Sequence, residues 1–303
     1  MTPACPRLPP PASHRRARYV GPSRPVARDR TVGGNAVHGV STLIAVAHGS
    51  RDPRSAATVS ALIDRVRWLR PDLDVRLAFL DLCAPRLGTV LATVSRAVVV
   101  PLLLGRAFHA DVDVPSAVSR AMAARPGLAV IMADVLGPDS QLEAVALRRL
   151  AEVGASPADP GVGAVLAAAG SRHARSNAWV AAAAHRLALR TAWRVVPAFA
   201  CAARPTVTEA VATLRASGAR RIAVASWFLA PGLLPDQVAR LAAAADPQAL
   251  LAAPLGADDA VASLIADRYD LALHLPVSCP VGVELENVAC PGAHDSRRLP
   301  SGP

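Results

Sequence analysis

The chain repeats itself, and that repetition limits its fold more than any other property. Nine residues from Ala47, Ala-His-Gly-Ser-Arg-Asp-Pro-Arg-Ser, share six identities with the nine from Ala168, Ala-Ala-Gly-Ser-Arg-His-Ala-Arg-Ser, without a gap. Further on, Ala198-Phe199 and Pro205 repeat Ala78-Phe79 and Pro85 at a constant offset of 120 residues. A chain of 303 residues exceeds one typical domain. Duplication on this scale therefore predicts two lobes of one design that face each other.

Within the first copy, Thr42-Leu-Ile-Ala-Val-Ala47, Asp74-Val-Arg-Leu-Ala-Phe-Leu80, Ala97-Val-Val-Val-Pro-Leu-Leu-Leu104 and Leu128–Met132 read as strands. The first and third lack period-two alternation, as strands covered on both faces do. Helical spacing predicts helices over Arg54–Leu69, Pro85–Ser95, Val114–Ala124 and Asp139–Val153, with Pro71 stopping the first and Asp113 placed as N-cap of the third. The order βαβαβαβα implies a doubly wound parallel sheet with right-handed crossovers. After the linker Gly154–Gly161 the pattern restarts, with strands over Val162–Ala168 and Arg221–Leu229. The predicted fold class is α/β, two similar doubly wound parallel-sheet lobes with an active-site crevice between them. The expected boundaries are a Pro/Arg-rich disordered leader at 1–39, an N-terminal lobe at 40–156, a degenerate repeat lobe at 157–276 and a flexible tail at 277–303.

The net charge of +10 comes from arginine alone, since the chain has no lysine. Seven arginines against one aspartate lie in the first 40 residues, so the rest of the chain is only mildly basic. No basic helix or aromatic platform accompanies the charge, so no nucleic-acid partner is expected and an anionic small molecule suits the excess better. No apolar stretch approaches the roughly 18 residues that span a bilayer, so no membrane partner is expected. Arg15-Arg16 invites a twin-arginine reading, but Ala17–Ala36 holds no continuous apolar core, and export is not expected. The five cysteines are odd in number and scattered, with no CxxC pair. They suit a reducing, cytoplasmic compartment rather than a disulfide framework.

Chemistry concentrates where the first copy departs from the second. His48 follows the first strand, Asp81 ends the second and His109 follows the third, whereas the repeat puts Ala169, Cys201 and Leu234 at the aligned positions. Ligands of an open parallel sheet sit outside the carboxyl ends of its strands, where strand order reverses. Two imidazoles with a carboxylate nearby suit divalent iron, cobalt, nickel or zinc, and an incomplete ligand set leaves positions open for exchange. Spacing alone leaves capping or core roles open for both histidines. Arg51, Arg54 and Arg106 flank the proposed site, with Arg172 as the counterpart from the second copy.

Ala47-His-Gly-Ser-Arg-Asp-Pro53, Phe79-Leu-Asp-Leu-Cys-Ala-Pro85 and Pro101-Leu-Leu-Leu-Gly-Arg-Ala-Phe-His-Ala-Asp-Val-Asp-Val-Pro115 together resemble the sirohydrochlorin chelatase family of class II chelatases. The likeness is strong over Leu43–Val118 and looser over the second copy, including Leu229-Ala-Pro-Gly-Leu233. It implies a lyase that inserts Co²⁺ or Fe²⁺ into sirohydrochlorin without nucleotide, in sirohaem or cobalamin synthesis. The divalent metal is then a substrate, with no tightly bound cofactor. His48 and His109 map onto the metal-holding histidines, and Asp81 stands where the family usually has Glu, one methylene longer. The glycine before the second histidine is displaced, at Gly105. The resemblance makes sirohydrochlorin a partner whose carboxylates suit Arg51, Arg54, Arg106 and Arg172. Monomer and homodimer both fit the duplicated chain.

Two other readings compete. A histidine-type phosphatase has a similar His-Gly-x-Arg loop, but places a phosphate-holding Arg before the histidine, where this chain has Ala47. A metal or tetrapyrrole carrier without turnover is the other.

Overall fold

The computed structural model describes residues 41–105 and 112–274. In chain order the elements are β1 (Thr42–Ala47), α1 (Pro53–Leu69), β2 (Val75–Phe79), α2 (Leu87–Leu91), β3 (Arg96–Pro101), α3 (Val114–Ala124), β4 (Ala129–Met132) and α4 (Ser140–Glu152). The second half repeats them as β5 (Val162–Ala168), α5 (Ala174–Leu189), β6 (Arg194–Phe199), α6 (Val207–Ala216), β7 (Arg221–Ser226), α7 (Leu233–Ala245), β8 (Leu250–Leu251) and α8 (Asp259–His274). Two parallel four-stranded sheets result, ordered β2-β1-β3-β4 and β6-β5-β7-β8. This is the two-lobed α/β architecture that the repeat implies. Among the described residues, no helix is long and apolar enough to cross a membrane.

The strand sequences explain the layering. β1 and β5 are buried at every position, because each is central and covered on both faces. Alternate residues of the first sheet point into different cores. Leu43, Ala45, Val98 and Val100 join one cluster with residues of both halves, while Ile44, Val46, Ala97 and Val99 pack against α2 and α3. The second sheet does the same, with Val165, Ala167, Ile222 and Val224 under α6 and α7.

The shared central core contains an exchange of helices. α8, the last helix of the second half, packs on β3, β4 and α1 of the first sheet, and α4 of the first half packs on β7 of the second. Ion pairs fasten the exchange, Arg65 to Asp259 at 2.8 Å, Arg70 to Asp270 at 2.8 Å, Arg268 to Asp139 at 3.1 Å and Arg186 to the buried Glu143 at 2.6 Å. The buried Tyr269 hydroxyl donates to the Ser41 carbonyl at 2.7 Å.

Local chemistry sets the helix ends. Asp52 caps α1 by accepting from the Arg54 N–H at 2.9 Å, and Pro53 occupies the first turn, where its missing donor costs nothing. α2 is shorter than the eleven-residue helix read over 85–95. Its N-cap, Arg86, makes no capping bond, and one Arg125 guanidinium nitrogen collects the carbonyls of Leu91, Ala92 and Val94 just beyond. In the second half Thr206 and Glu209 form a capping box, and α6 runs ten residues. Asp113 stands at the N-cap of α3, but its backbone is already helical and its side chain makes no capping bond. β3 ends at Pro101 rather than Leu104, since Leu103 turns back to donate to the Pro101 carbonyl at 2.9 Å. β7 likewise ends at Ser226, short of the expected Leu229.

Candidate metal-handling site

Both connections from β1 and β3 leave the carboxyl edge of the first sheet, where strand order reverses. His48 is the first residue after β1 and is exposed there. Its neighbourhood is built from backbone. Leu80 donates to the Ala47 carbonyl at 2.9 Å and Asp81 to the His48 carbonyl at 2.8 Å, which extends the ladder between β1 and β2 by two residues. The exits of these strands are thus locked together, and the chain steps of His48 and Asp81 lie side by side.

Gly49 makes this approach possible. Its φ is +99°, and a Cβ would lie 1.7 Å from the Asp81 carbonyl oxygen. The adjoining turn closes through the Cys83 N–H to the Asp81 carbonyl at 2.7 Å, with Leu82 left-handed at φ 63°. The Cys83 thiol then straps the two loops, accepting from the Ser50 N–H at 3.5 Å and donating to the Ser50 carbonyl at 3.1 Å. In the second half the Ser171 backbone is instead bound locally, its N–H donating to the Asn177 carboxamide oxygen at 2.9 Å and its carbonyl accepting from the Asn177 amide at 2.7 Å, from six residues on in α5. Cys83 is thereby a structural clasp of the loop.

Asp81 does not stand alone. Its carboxylate pairs with Arg86 at 2.5 Å, and Arg86 also donates to the Leu80 carbonyl at 3.0 Å. The Arg86 hydrogen bond, with a smaller one from the Leu82 backbone, holds the Asp81 carboxyl below the usual carboxylate range, and the charges of Arg86 and His48 add to this. Asp81 is therefore a fixed negative charge beside His48, weak as a proton acceptor but suited to attract a cation.

The arginines behave differently from one another. Arg54 is held by Asp52 at 2.5 Å and by Asp236 of α7 at 2.5 Å, so its guanidinium bridges the two lobes. Asp52 is held below its ordinary range mainly by the side-chain hydrogen bond from Arg54. Arg51 and Arg172 are exposed in the loops after β1 and β5, and make no ion pair among the described residues. The second lobe also reaches this end of the first, since a Cβ on Gly232, the N-cap of α7, would come 4.0 Å from the Ser50 hydroxyl.

His109 and Arg106 lie outside the described residues. Their connection is nevertheless distinctive in length. Twelve residues separate Pro101 from Val114, against six between Ser226 and Leu233. Leu234 lies inside α7, so it is the counterpart of the start of α3 rather than of His109. Counting on from the strand sets His109 against Leu234 only because it passes over this extra length. Arg86 and Asp236 were also missed. The signal for Arg86 was present, since the offset of 120 sets it against Thr206, a capping residue. No pattern signalled Asp236, because its partner lies 182 residues away.

Among the described residues, no three His, Cys, Asp or Glu side chains gather to hold a metal ion.

Comparison with known proteins agrees with this architecture. SirB from Bacillus subtilis with Fe3+ matches at a TM-score of 0.68 and 22% identity, covering 77% of this chain and 96% of that one. The sirohydrochlorin chelatase SirB from Bacillus subtilis subspecies spizizenii in complex with cobalt matches at 0.62 and 20%, over 78% and 96%. CbiX, described as the terminal enzyme for biosynthesis of siroheme in denitrifying bacteria, matches at 0.56 and 22%, over 76% and 99%. At these identities the likeness is one of fold. No curated protein matches the sequence. The CbiX family model matches residues 42–153 and again residues 163–272, one match per half. Both halves, and most of the chain, thus carry the family's pattern, and the protein belongs to the CbiX family.

Proposed function

We propose that this protein is a sirohydrochlorin chelatase, a lyase that inserts Co²⁺ or Fe²⁺ into the macrocycle in sirohaem or cobalamin synthesis. The observation that carries the reading is the exposed His48 beside the Arg86-held carboxylate of Asp81, at the reversal point of a CbiX-family sheet. That solved neighbours of this fold hold Fe3+ or cobalt supports the choice of metals.

In this reading the metal ion and the tetrapyrrole are both substrates, meeting in the crevice between the lobes. His48 and His109 supply imidazole nitrogens to the arriving cation, which sheds water as it exchanges ligands. Asp81 stays ionised and draws the dication to the site. Insertion releases two pyrrole protons for each metal ion bound. A neutral imidazole freed as the metal leaves it accepts one, and solvent takes the other. Arg51, Arg106 and Arg172 are the arginines assigned here to the macrocycle's carboxylates, whereas Arg54 serves mainly to hold the lobes in register.

The test is an anaerobic absorbance time course of sirohydrochlorin with Co²⁺ or Fe²⁺, for wild type, His48→Ala and His109→Ala. The expected result is metal-dependent spectral change well above the uncatalysed rate, lost in both variants. A wild-type rate equal to the uncatalysed one overturns the reading. Stoichiometric binding without turnover would identify a carrier instead.

A further inference from the structure

Behind Asp81, away from the central core, a cavity of about 400 Å³ opens between α2 and α3. Leu80, Leu87, Ala117 and Ala121 give it apolar walls, and among the described residues Arg86 and Arg120 are the charged ones that line it. Both described bonds of Arg86 use Nη1, which reaches Asp81 and Leu80. Arg120 is exposed and makes no ion pair among the described residues. Asp81 balances one guanidinium, so the cavity retains a net positive charge.

The sequence gives up helix stability to place one of these groups. Position 86 is the N-cap of α2, where the second half uses a Thr206–Glu209 capping box and obtains a helix twice as long. Arginine cannot cap, because it has no acceptor. Its presence therefore answers to something other than the helix. Two guanidiniums around a slot with aliphatic walls match a carboxylate carried on a short methylene stem.

We infer that Arg86 and Arg120 form a carboxylate-binding subsite beside Asp81, which takes an acidic side chain at the macrocycle's edge. This rests on the proposed function for the identity of the ligand, but not for its chemistry. Because Arg86 both lines the cavity and pairs with Asp81, a carboxylate anchored there would register the macrocycle against the metal-handling groups. Arg86 would thus link cation attraction and substrate anchoring in one side chain.

The experiment uses the full chain and the variants Arg120→Gln and Arg120→Glu, whose exposed position should leave folding intact, with the melting temperature as check. Fluorescence titration with metal-free sirohydrochlorin is expected to show Kd raised about tenfold by Arg120→Gln and further by Arg120→Glu. KM for the tetrapyrrole should rise with kcat and the metal dependence unchanged. Tricarballylate and inorganic phosphate, titrated separately, distinguish the sources of the anion. Unchanged Kd in both variants overturns the subsite while wild-type metal insertion leaves the chelatase reading intact. Arg120-dependent binding of tricarballylate in a wild type that neither binds nor metallates sirohydrochlorin would support the subsite and overturn the chelatase reading. Arg120-dependent binding of phosphate alone would overturn the carboxylate assignment.

Discussion

Replacing Gly49 with alanine tests the way the site is built. The residue is left-handed at φ +99°, and its new Cβ would be 1.7 Å from the Asp81 carbonyl oxygen. A left-handed conformation costs a non-glycine residue about 1–2 kcal/mol. The backbone oxygen cannot turn aside as a side chain would, so the β1 and β2 exits must separate. This breaks the Leu80 to Ala47 and Asp81 to His48 hydrogen bonds, each worth about 1 kcal/mol net. Together these give about 3–4 kcal/mol, or a melting temperature lowered by about 6–16 °C at 2–4 °C per kcal/mol for a body of this size. Gly170→Ala repeats the perturbation in the second lobe, where φ is +88° and the Cβ would lie 2.0 Å from the Cys201 carbonyl oxygen. It should cost similar stability yet leave metal insertion at permissive temperature near wild type, whereas Gly49→Ala should lose most of it. Gly127→Ala, with nothing within 4 Å of its Cβ, should be within about 0.5 kcal/mol of wild type. Differential scanning calorimetry with the absorbance assay measures all three. A Gly49→Ala protein melting within about 2 °C of wild type would refute the reasoning, as would equal loss of insertion in folded Gly170→Ala.

Other expectations follow from the packing and charges. A chain truncated before α8 loses the burial of Val261, Leu264, Ile265 and Tyr269. At about 1.5–3 kcal/mol each this is about 6–12 kcal/mol, comparable to the whole stability of a domain, so no cooperative melting transition should be seen. Glu143→Ala strips a buried carboxylate from Arg186, which is 39% exposed and can partly rehydrate. The cost should be about 2 kcal/mol, below the range for a fully buried pair, and Glu143→Gln should recover part of it in urea unfolding. Asp52 has its folded pKa depressed, so its contribution is present above the unfolded value and lost as pH falls through the folded one. The melting temperature of Asp52→Ala should accordingly fall less steeply than that of wild type below about pH 4, and parallel curves would refute this. Asp81→Asn should weaken the apparent affinity for the metal ion more than that for the tetrapyrrole, read from separate KM values.

Much of the fold was legible because its signals are local. β1, β5 and α3 have the bounds read from their apolar runs and flanking residues. The repeat supplied the second lobe. α2 was overestimated because periodicity describes which face is apolar, whereas its length depends on a missing cap and on Arg125, more than thirty residues away. The exchange of α4 and α8 was illegible for a related reason. An amphipathic helix shows that it has an apolar face, but not which sheet receives it. At the site, His48 and Asp81 could be found because they end strands, but the role of Arg54 could not. Its arginine fork looks the same in sequence whether it faces a ligand or, as here, Asp236.

The exchanged helices also set when the two cores can be completed as the chain is made. The first sheet is complete in sequence at Met132, but the helix that covers β3 and β4 begins only at Asp259. Until then Val98 and Val100 have no permanent cover from that helix, and their strands must wait through the making of an entire second sheet. The contacts that complete the first core are thus among the most distant in sequence, which slows folding and lengthens the exposure of aggregation-prone surface. The two copies do not mature one after the other as beads on a string. Their cores are completed together, when α8 arrives.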